Sequence, residues 1–200
     1  MADISRSLDI SHTAVLSMDC QNGIVSIYAN PPEPFIERAA GVLRAARASG
    51  MLVIHVQAGF RESLPEVSDR NKLLSPLKSS PLHRKLFEGA AGRVHPVLGP
   101  EPSDIIVTKH RVSAFAGTDL GIILRAKEIQ TLVMFGIATS GVMLSTLLEA
   151  SDLDYRLVVI RDCCADLDPE LQTCLFERVF PTRATVLSAI DFTVSLHATS

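Results

Sequence analysis

Residues 131–155 read TLVMFGIATSGVMLSTLLEASDLDY. From Leu132 to Ala138 the segment is a short apolar run containing Val133 and Ile137, the mark of a buried strand. From Gly141 to Leu153 the spacing changes, and Val142, Leu144, Leu147, Leu148 and Ala150 recur at the period of a helix. Thr139 and Ser140 stand at the join, where either hydroxyl can cap the helix by accepting a bond from a free backbone N–H. A buried strand running straight into a helix is the unit from which α/β proteins build binding sites. The helix start offers unpaired N–H groups and the positive end of the dipole to an anion or a developing oxyanion. A site is expected at this turn.

The same alternation extends outward in both directions. Upstream, DIIVTK (Asp104 to Lys109) is a strand, followed by HRVSAFAGTD and a helix from Leu120 to Glu128 capped by Thr118. Further upstream, TAVLSMD (Thr13 to Asp19) is a first strand, and Cys20-Gln21-Asn22-Gly23 reads as a polar turn. PPEPF interrupts the chain, Pro34 opens an amphipathic helix from Phe35 to Ser49, Gly50 ends it, and Met51 to Val56 is a second strand. Downstream, Arg156 to Ile160 is a strand ending at Asp162. Asp168-Pro169-Glu170 then starts a helix to about Phe180, and Thr185 to Ile190 is a final strand. This order predicts one α/β domain over residues 1–200, a three-layer αβα sandwich around a mostly parallel sheet of about six strands, Rossmann-like in plan. Residues 59–102 interrupt the pattern with six of the eleven prolines and few apolar groups. They read as a long lid-like excursion with one or two helical turns.

Composition narrows the functions. The chain has 200 residues, is 47% hydrophobic, and contains no apolar run near the ~18 residues that span a bilayer. A net charge of −3 without a basic run argues against a nucleic-acid binder. The start MADISRSLDI is polar and acidic, so no signal peptide is expected and the cytoplasm is the default location. Cys20, Cys163, Cys164 and Cys174 have no CxxC spacing and read as reduced, mostly buried residues.

In a parallel sheet the C-terminal strand ends share one edge, so Asp19, residues 57–59, Lys109, the 138–141 turn and Asp162 can converge. An Asp ending a strand is often a turn residue and a Lys there is often solvated, but a desolvated Asp–Lys pair can hold or move a proton. MDCQNGIV, KHRVSAFAGTDL and GIATSGVMLSTLLEASDLDYRLVVIRDCCAD, in that order, resemble the isochorismatase-like (cysteine hydrolase) superfamily, which includes nicotinamidases, N-carbamoylsarcosine amidases and isochorismatases. The likeness runs from about Ala14 to Phe192. It implies that Asp19 is the catalytic acid and Lys109 the catalytic lysine. It also implies that Ala138, Thr139, Ser140, Gly141 and Val142 form the oxyanion turn, with a cis peptide at Ala138-Thr139. Ser113, Phe115 and Asp162 match further family positions.

The family writes this turn as roughly G-x-A-T-x-x-C, and the position of the nucleophilic Cys is Val142 here. Valine cannot attack a carbonyl, which removes thioester chemistry unless Cys20 or Ser140 substitutes. The nicotinamidase metal motif is also missing: Gln57-Ala58-Gly59-Phe60 has no Asp or His, His55 reads as a core residue, and His83 and His95 have no ligand spacing. No metal and no cofactor are expected. Isochorismatases proper also lack the Cys, keep the Asp and Lys, and hydrolyse a vinyl ether by acid catalysis, though with an aromatic-Ala-His turn.

The resemblance therefore implies a hydrolase of a small, carboxylate-bearing molecule, with Asp19 as general acid. Gln21, Phe60, Arg61, Arg111 and Phe115 are candidate substrate contacts, and a homodimer or higher homo-oligomer is implied. The alternative is a non-catalytic binder or scaffold.

Overall fold

Six apolar segments become strands: β1 Thr13–Met18, β2 Leu52–Ala58, β3 Ile105–Lys109, β4 Thr131–Ile137, β5 Arg156–Ala165 and β6 Thr185–Leu187. In the computed structural model, which describes residues 8–197, they form one sheet in the order β3-β2-β1-β4-β5-β6, every neighbouring pair parallel. β1 and β4 are buried at every position, so they read as unbroken apolar runs instead of alternating ones. The chain winds outward from β1 to β3 on one side and from β4 to β6 on the other. The crevice at the C-terminal ends of β1 and β4 is therefore the topological switch point, where ligands bind in such sheets.

Helices cover both faces, completing the expected three-layer fold: α1 Asn22–Tyr28, α2 Glu33–Ala48, α3 Pro76–Ser79, α4 Pro81–Lys85, α5 Leu120–Ala126, α6 Leu144–Asp152, α7 Pro169–Cys174 and α8 Ala189–His197. α2 forms because Phe35, Ile36, Ala39, Ala40, Val42, Leu43 and Ala46 recur on one side, and that side is buried. Pro34 lies in its first turn, and Gly50 takes a positive φ of 82° just past its end. The excursion holds α3, α4 and a 3-10 turn, Pro96–Leu98. It packs around its own small cluster, Leu64, Val67 and Leu77, with Phe60, Leu74 and Phe87 against it. No helix among the described residues is long and apolar enough to cross a membrane. Residues 1–7 of the segment read for a signal peptide lie outside the described residues.

Several boundaries differ from the sequence reading, each for a physical reason. The polar turn read at Cys20 to Gly23 is instead the entry to α1, which Gln21 precedes and Asn22 begins. Gly23 is needed there for contact, since a Cβ would stand 2.6 Å from the Leu86 carbonyl oxygen. β5 does not stop near Ile160 but continues to Ala165, with an irregular register against β4 between Met134 and Gly136. The helix expected to reach Phe180 is α7 followed by a π-helical turn, Leu175–Val179, and a 3-10 turn, Phe180–Thr182. The last strand ends at Leu187 because Ser188 caps α8: its Oγ accepts from the Asp191 N–H (3.1 Å) and donates to the Asp191 carboxylate (2.6 Å).

A buried polar cluster fastens the opposite end of the sheet. Asp104, with a side chain 2% exposed, accepts from Arg47 (2.6 Å), from the Glu101 amide (2.9 Å) and pairs with His55 (3.2 Å). Burial by itself raises the Asp104 carboxyl, but the Arg47 and Glu101 hydrogen bonds and the Arg47 and His55 charges outweigh it and hold it below its ordinary value. A group lowered on folding contributes stability above its unfolded value, roughly 4, and loses it as pH falls through the folded value. Asp104→Asn is expected to cost about 2–4 kcal/mol at neutral pH, because Arg47 loses its buried counter-charge. In urea unfolding the gap to wild type narrows as the pH is taken below about 4; a gap independent of pH contradicts the assignment.

Gly136 is a second fixed point. It sits in β4 with φ 151°, and a Cβ there would overlap the Met18 carbonyl of β1. Gly136→Ala is expected to destabilise by about 3 kcal/mol or more in the same measurement, and an unchanged midpoint would show that the two strands can part at little cost.

Candidate functional site

Asp19 directly follows β1 in the left-handed region, φ 53°, a conformation Asp tolerates better than most residues, and its N–H donates to the Val56 carbonyl (2.8 Å). That fixes its side chain over the end of β2. Lys109, the last residue of β3, reaches the same place from the far side of β2. Its Nζ lies 2.8 Å from Asp19 Oδ2 and donates to the Arg111 carbonyl (3.0 Å). The two are 9% and 3% exposed, and Asp19 Oδ1 is buried with no hydrogen-bond partner. Burial pushes the Asp19 carboxyl above its ordinary value, against the pull of the Lys109 ammonium. The arrangement is a desolvated acid held at one oxygen and unpartnered at the other.

Gln21 builds the frame beneath this pair. It is fully buried; its Nε2 donates to the carbonyls of Ala58 (2.8 Å) and Gly92 (2.7 Å), and its Oε1 accepts the Ala58 N–H (2.8 Å). One side chain thus ties the end of β1 to the end of β2 and to the excursion. All the bonds found for its amide go to main chain, which assigns it to holding the site in shape.

The turn after β4 completes the group. A cis peptide lies between Ile137 and Ala138, one bond earlier than the expected Ala138-Thr139 position. A π-helical turn, Thr139–Met143, leads into α6. Neither Thr139 nor Ser140 caps it: no side chain of the capping position bonds there, and Thr139 Oγ1 is buried without a partner. The Ser140 N–H instead donates to Asp166 Oδ2 at 2.6 Å. Val142 is 2% exposed.

The remaining candidates separate into anchors and rim. Ser113 Oγ donates to Glu149 of α6 (2.5 Å), the Ala114 N–H donates to Thr146 of α6 (3.0 Å), and Phe115 stacks on Tyr155 with centroids 6.1 Å apart. Ser113 and Ala114 therefore clamp the loop after Lys109 onto α6, and Phe115 packs on the segment that follows it. Phe60 meets Phe87 edge-on at 5.3 Å and leans on His110, whose Nδ1 donates to the Gly59 carbonyl (2.6 Å). Phe60 and Arg61 line a cavity of about 420 Å³ with Leu64, Leu77, Arg84 and Phe87. The Arg61 guanidinium is exposed, 3.6 Å from Glu66, and that of the exposed Arg111 donates to the His110 carbonyl (2.6 Å).

One sequence-read position moves. Asp162 lies within β5, where its Oδ1 accepts the Ala189 N–H at the start of α8 (2.7 Å) and its backbone carbonyl accepts from Arg38 (2.7 Å). Because β5 runs on to Ala165, the acid that arrives at the turn is Asp166, which the sequence reading passed over. Cys20 is buried and its thiol is pushed up to about 12, chiefly by burial, which leaves it no thiolate character near neutral pH. His55 is engaged by Asp104, and among the described residues no group of three His, Cys, Asp or Glu side chains is placed to hold a metal ion.

The model of the isochorismatase domain matches residues 13–191. The chain belongs to the isochorismatase family. As such it is a hydrolase of the isochorismatase-like class. It is 30% identical to the uncharacterized isochorismatase family protein YecD of Escherichia coli O157:H7, over 90% of this chain and 94% of that one. It is 27% identical to the maleamate amidohydrolase of Pseudomonas putida, over 76% and 72% respectively. Among solved structures, an isochorismatase family protein from Burkholderia thailandensis superposes with a TM-score of 0.83 at 30% identity, covering 94% of this chain and 96% of that one.

Within this family frame the role of Gln21 can be tested. Gln21→Met keeps the volume but leaves the Ala58 N–H and two carbonyls unpaired in the interior. A loss of about 2–4 kcal/mol is expected from thermal unfolding, together with loosened amide exchange at Ala58; wild-type exchange there would remove the framing role.

Proposed function

We propose that this family member hydrolyses a small carboxylate-bearing molecule by general acid catalysis from Asp19, without a covalent enzyme intermediate. The observation that carries this reading is the buried Asp19–Lys109 pair standing beside a turn whose nucleophile position is Val142. An acid that protonates carbon has to be held as an acid, and the desolvation of Asp19 raises its proton affinity in that direction. Lys109 keeps one oxygen fixed and stabilises the carboxylate that remains after transfer.

On a vinyl ether the step balances as follows. The π electrons of the double bond take the Asp19 proton to form a C–H bond, and the ether oxygen shares a lone pair, leaving an oxocarbenium ion. Water adds to that carbon, the hemiketal collapses to a ketone and a hydroxyl product, and a proton returns to Asp19. Arg61 and Arg111, the exposed guanidiniums after β2 and β3, are proposed to meet the substrate carboxylate. Maleamate, named for the Pseudomonas putida relative, is a small anion of that size class. A Cys20 nucleophile is disfavoured, because burial raises its thiol to about 12.

Vinyl ethers, amides and carbamoyl compounds bearing a carboxylate form the assay panel. Asp19→Asn is expected to lower kcat/KM at least ~100-fold on the accepted class. The acid works when protonated, so activity is greatest at low pH and falls as pH rises through the raised Asp19 value, above the roughly 4 of a free carboxyl. Turnover that survives Asp19→Asn, or a limb that falls near pH 4, would sink the mechanism.

A further inference from the structure

We propose that Asp166 is a specificity-determining residue that occupies the anion position at the start of α6, so that this turn favours neutral or cationic groups and does not stabilise an oxyanion. The inference rests on reading Asp19, Lys109 and the 138–142 turn as one site. The N–H groups of a first helical turn have no intrahelical partner, and with the dipole they form the positive end that binds anions. Here a carboxylate from the end of β5 takes that place, with Asp166 Oδ2 2.6 Å from the Ser140 nitrogen. A full negative charge set against roughly half a positive one leaves the turn negative overall.

Three further observations agree. The position before the turn, Ala138, brings no capping side chain, so Asp166 from another element performs that task. Asp166 Oδ1 accepts the Asp168 N–H only at 3.4 Å, and no ion pair within 4 Å neutralises the carboxylate among the described residues. Arg161, which lines a cavity with Asp166, lies instead over the Phe176 ring at 5.6 Å. The charge also reaches α1, where it adds to burial in raising the Tyr28 phenol. A thiolate at position 142 would normally draw on the positive helix start. In this chain the position is Val142 and the helix start already holds its anion. A reaction that builds negative charge on a carbonyl oxygen at this turn is opposed, and one that builds positive charge, as protonation by Asp19 does, is supported.

A thiol introduced at the turn reads this field without any substrate. In a Cys174→Ser background, since Cys174 is the exposed cysteine, Val142→Cys is compared with and without Asp166→Asn by iodoacetamide alkylation across pH. Asn keeps an oxygen for the Ser140 N–H and removes the charge. Asp166→Asn is expected to lower the pKa of the introduced thiol by about one unit, giving close to tenfold more thiolate below it. Asp162→Asn, a carboxylate committed to α8, is expected to change nothing. As a second readout in the Val142 chain, Asp166→Asn is expected to gain thermal stabilisation by sulfate that the unsubstituted chain lacks.

An unchanged thiol pKa together with no sulfate response overturns the proposal. So does a shift produced by Asp166→Ala but not by Asp166→Asn, which would make the bond to Ser140 purely structural. These titrations are independent of turnover, so failure of the Asp19 mechanism in the assay panel is read separately.

Discussion

Where β4 passes β1 at Gly136, the two strands are too near for any Cβ to stand between them. Everything in the crevice is set by that approach. It places the end of β1, carrying Asp19, directly beside the end of β4, from which the cis peptide and the 139–143 turn emerge. It also coincides with the register irregularity of β5, after which β5 pairs again at Cys164 and Ala165 and so delivers Asp166 to the turn. A bulge commonly re-aims a side chain, and here it decides which acid of the RDCCAD segment reaches the 139–143 turn.

Two ionisable groups have been taken out of water at this edge, and the surrounding main chain offsets the cost. Lys109 is held by the Arg111 carbonyl as well as by Asp19, and Gln21 fills the polar requirements of Ala58 beneath them. The loop that follows Lys109 is fixed to α6 through Ser113–Glu149 and Ala114–Thr146, so the lysine and the turn at the start of α6 are parts of one rigid assembly. Preorganisation of this kind keeps a raised carboxyl raised, because neither water nor a mobile side chain can relax around it.

The parallel sheet was legible because a strand buried on both faces has to be a continuous apolar run, and 131–137 and 13–18 are such runs. Asp19 and Lys109 were legible because topology alone sends strand ends to one edge. What remained hidden was settled by contacts between segments distant in sequence. Nothing near Gln21 in sequence announces that its partners are Ala58 and Gly92, and α1 was obscured by residues that also suit a turn. α8 did carry a local signal, Ser188 three residues before Asp191, that the strand reading of Thr185 to Ile190 outweighed. Asp166 was missed because a strand length was judged from its apolar part, Arg156 to Ile160, whereas β5 continues through Arg161 and Asp162 to Ala165.

The absent nucleophile and the intruding carboxylate have a common electrostatic sense. A thiolate at 142 and a carboxylate at 166 would compete for the same helix start, each raising the proton affinity of the other. With Val142 in place that competition disappears, and Asp166 can bind Ser140 without opposing a catalytic anion. On the inference drawn from the Ser140–Asp166 bond, the charge preference of this turn would be reversed. Such a reversal would suit the chemistry proposed above, in which Asp19 delivers a proton and positive charge develops on the substrate. On the proposed mechanism, Val142 and the carboxylate at position 166 would serve the same chemistry.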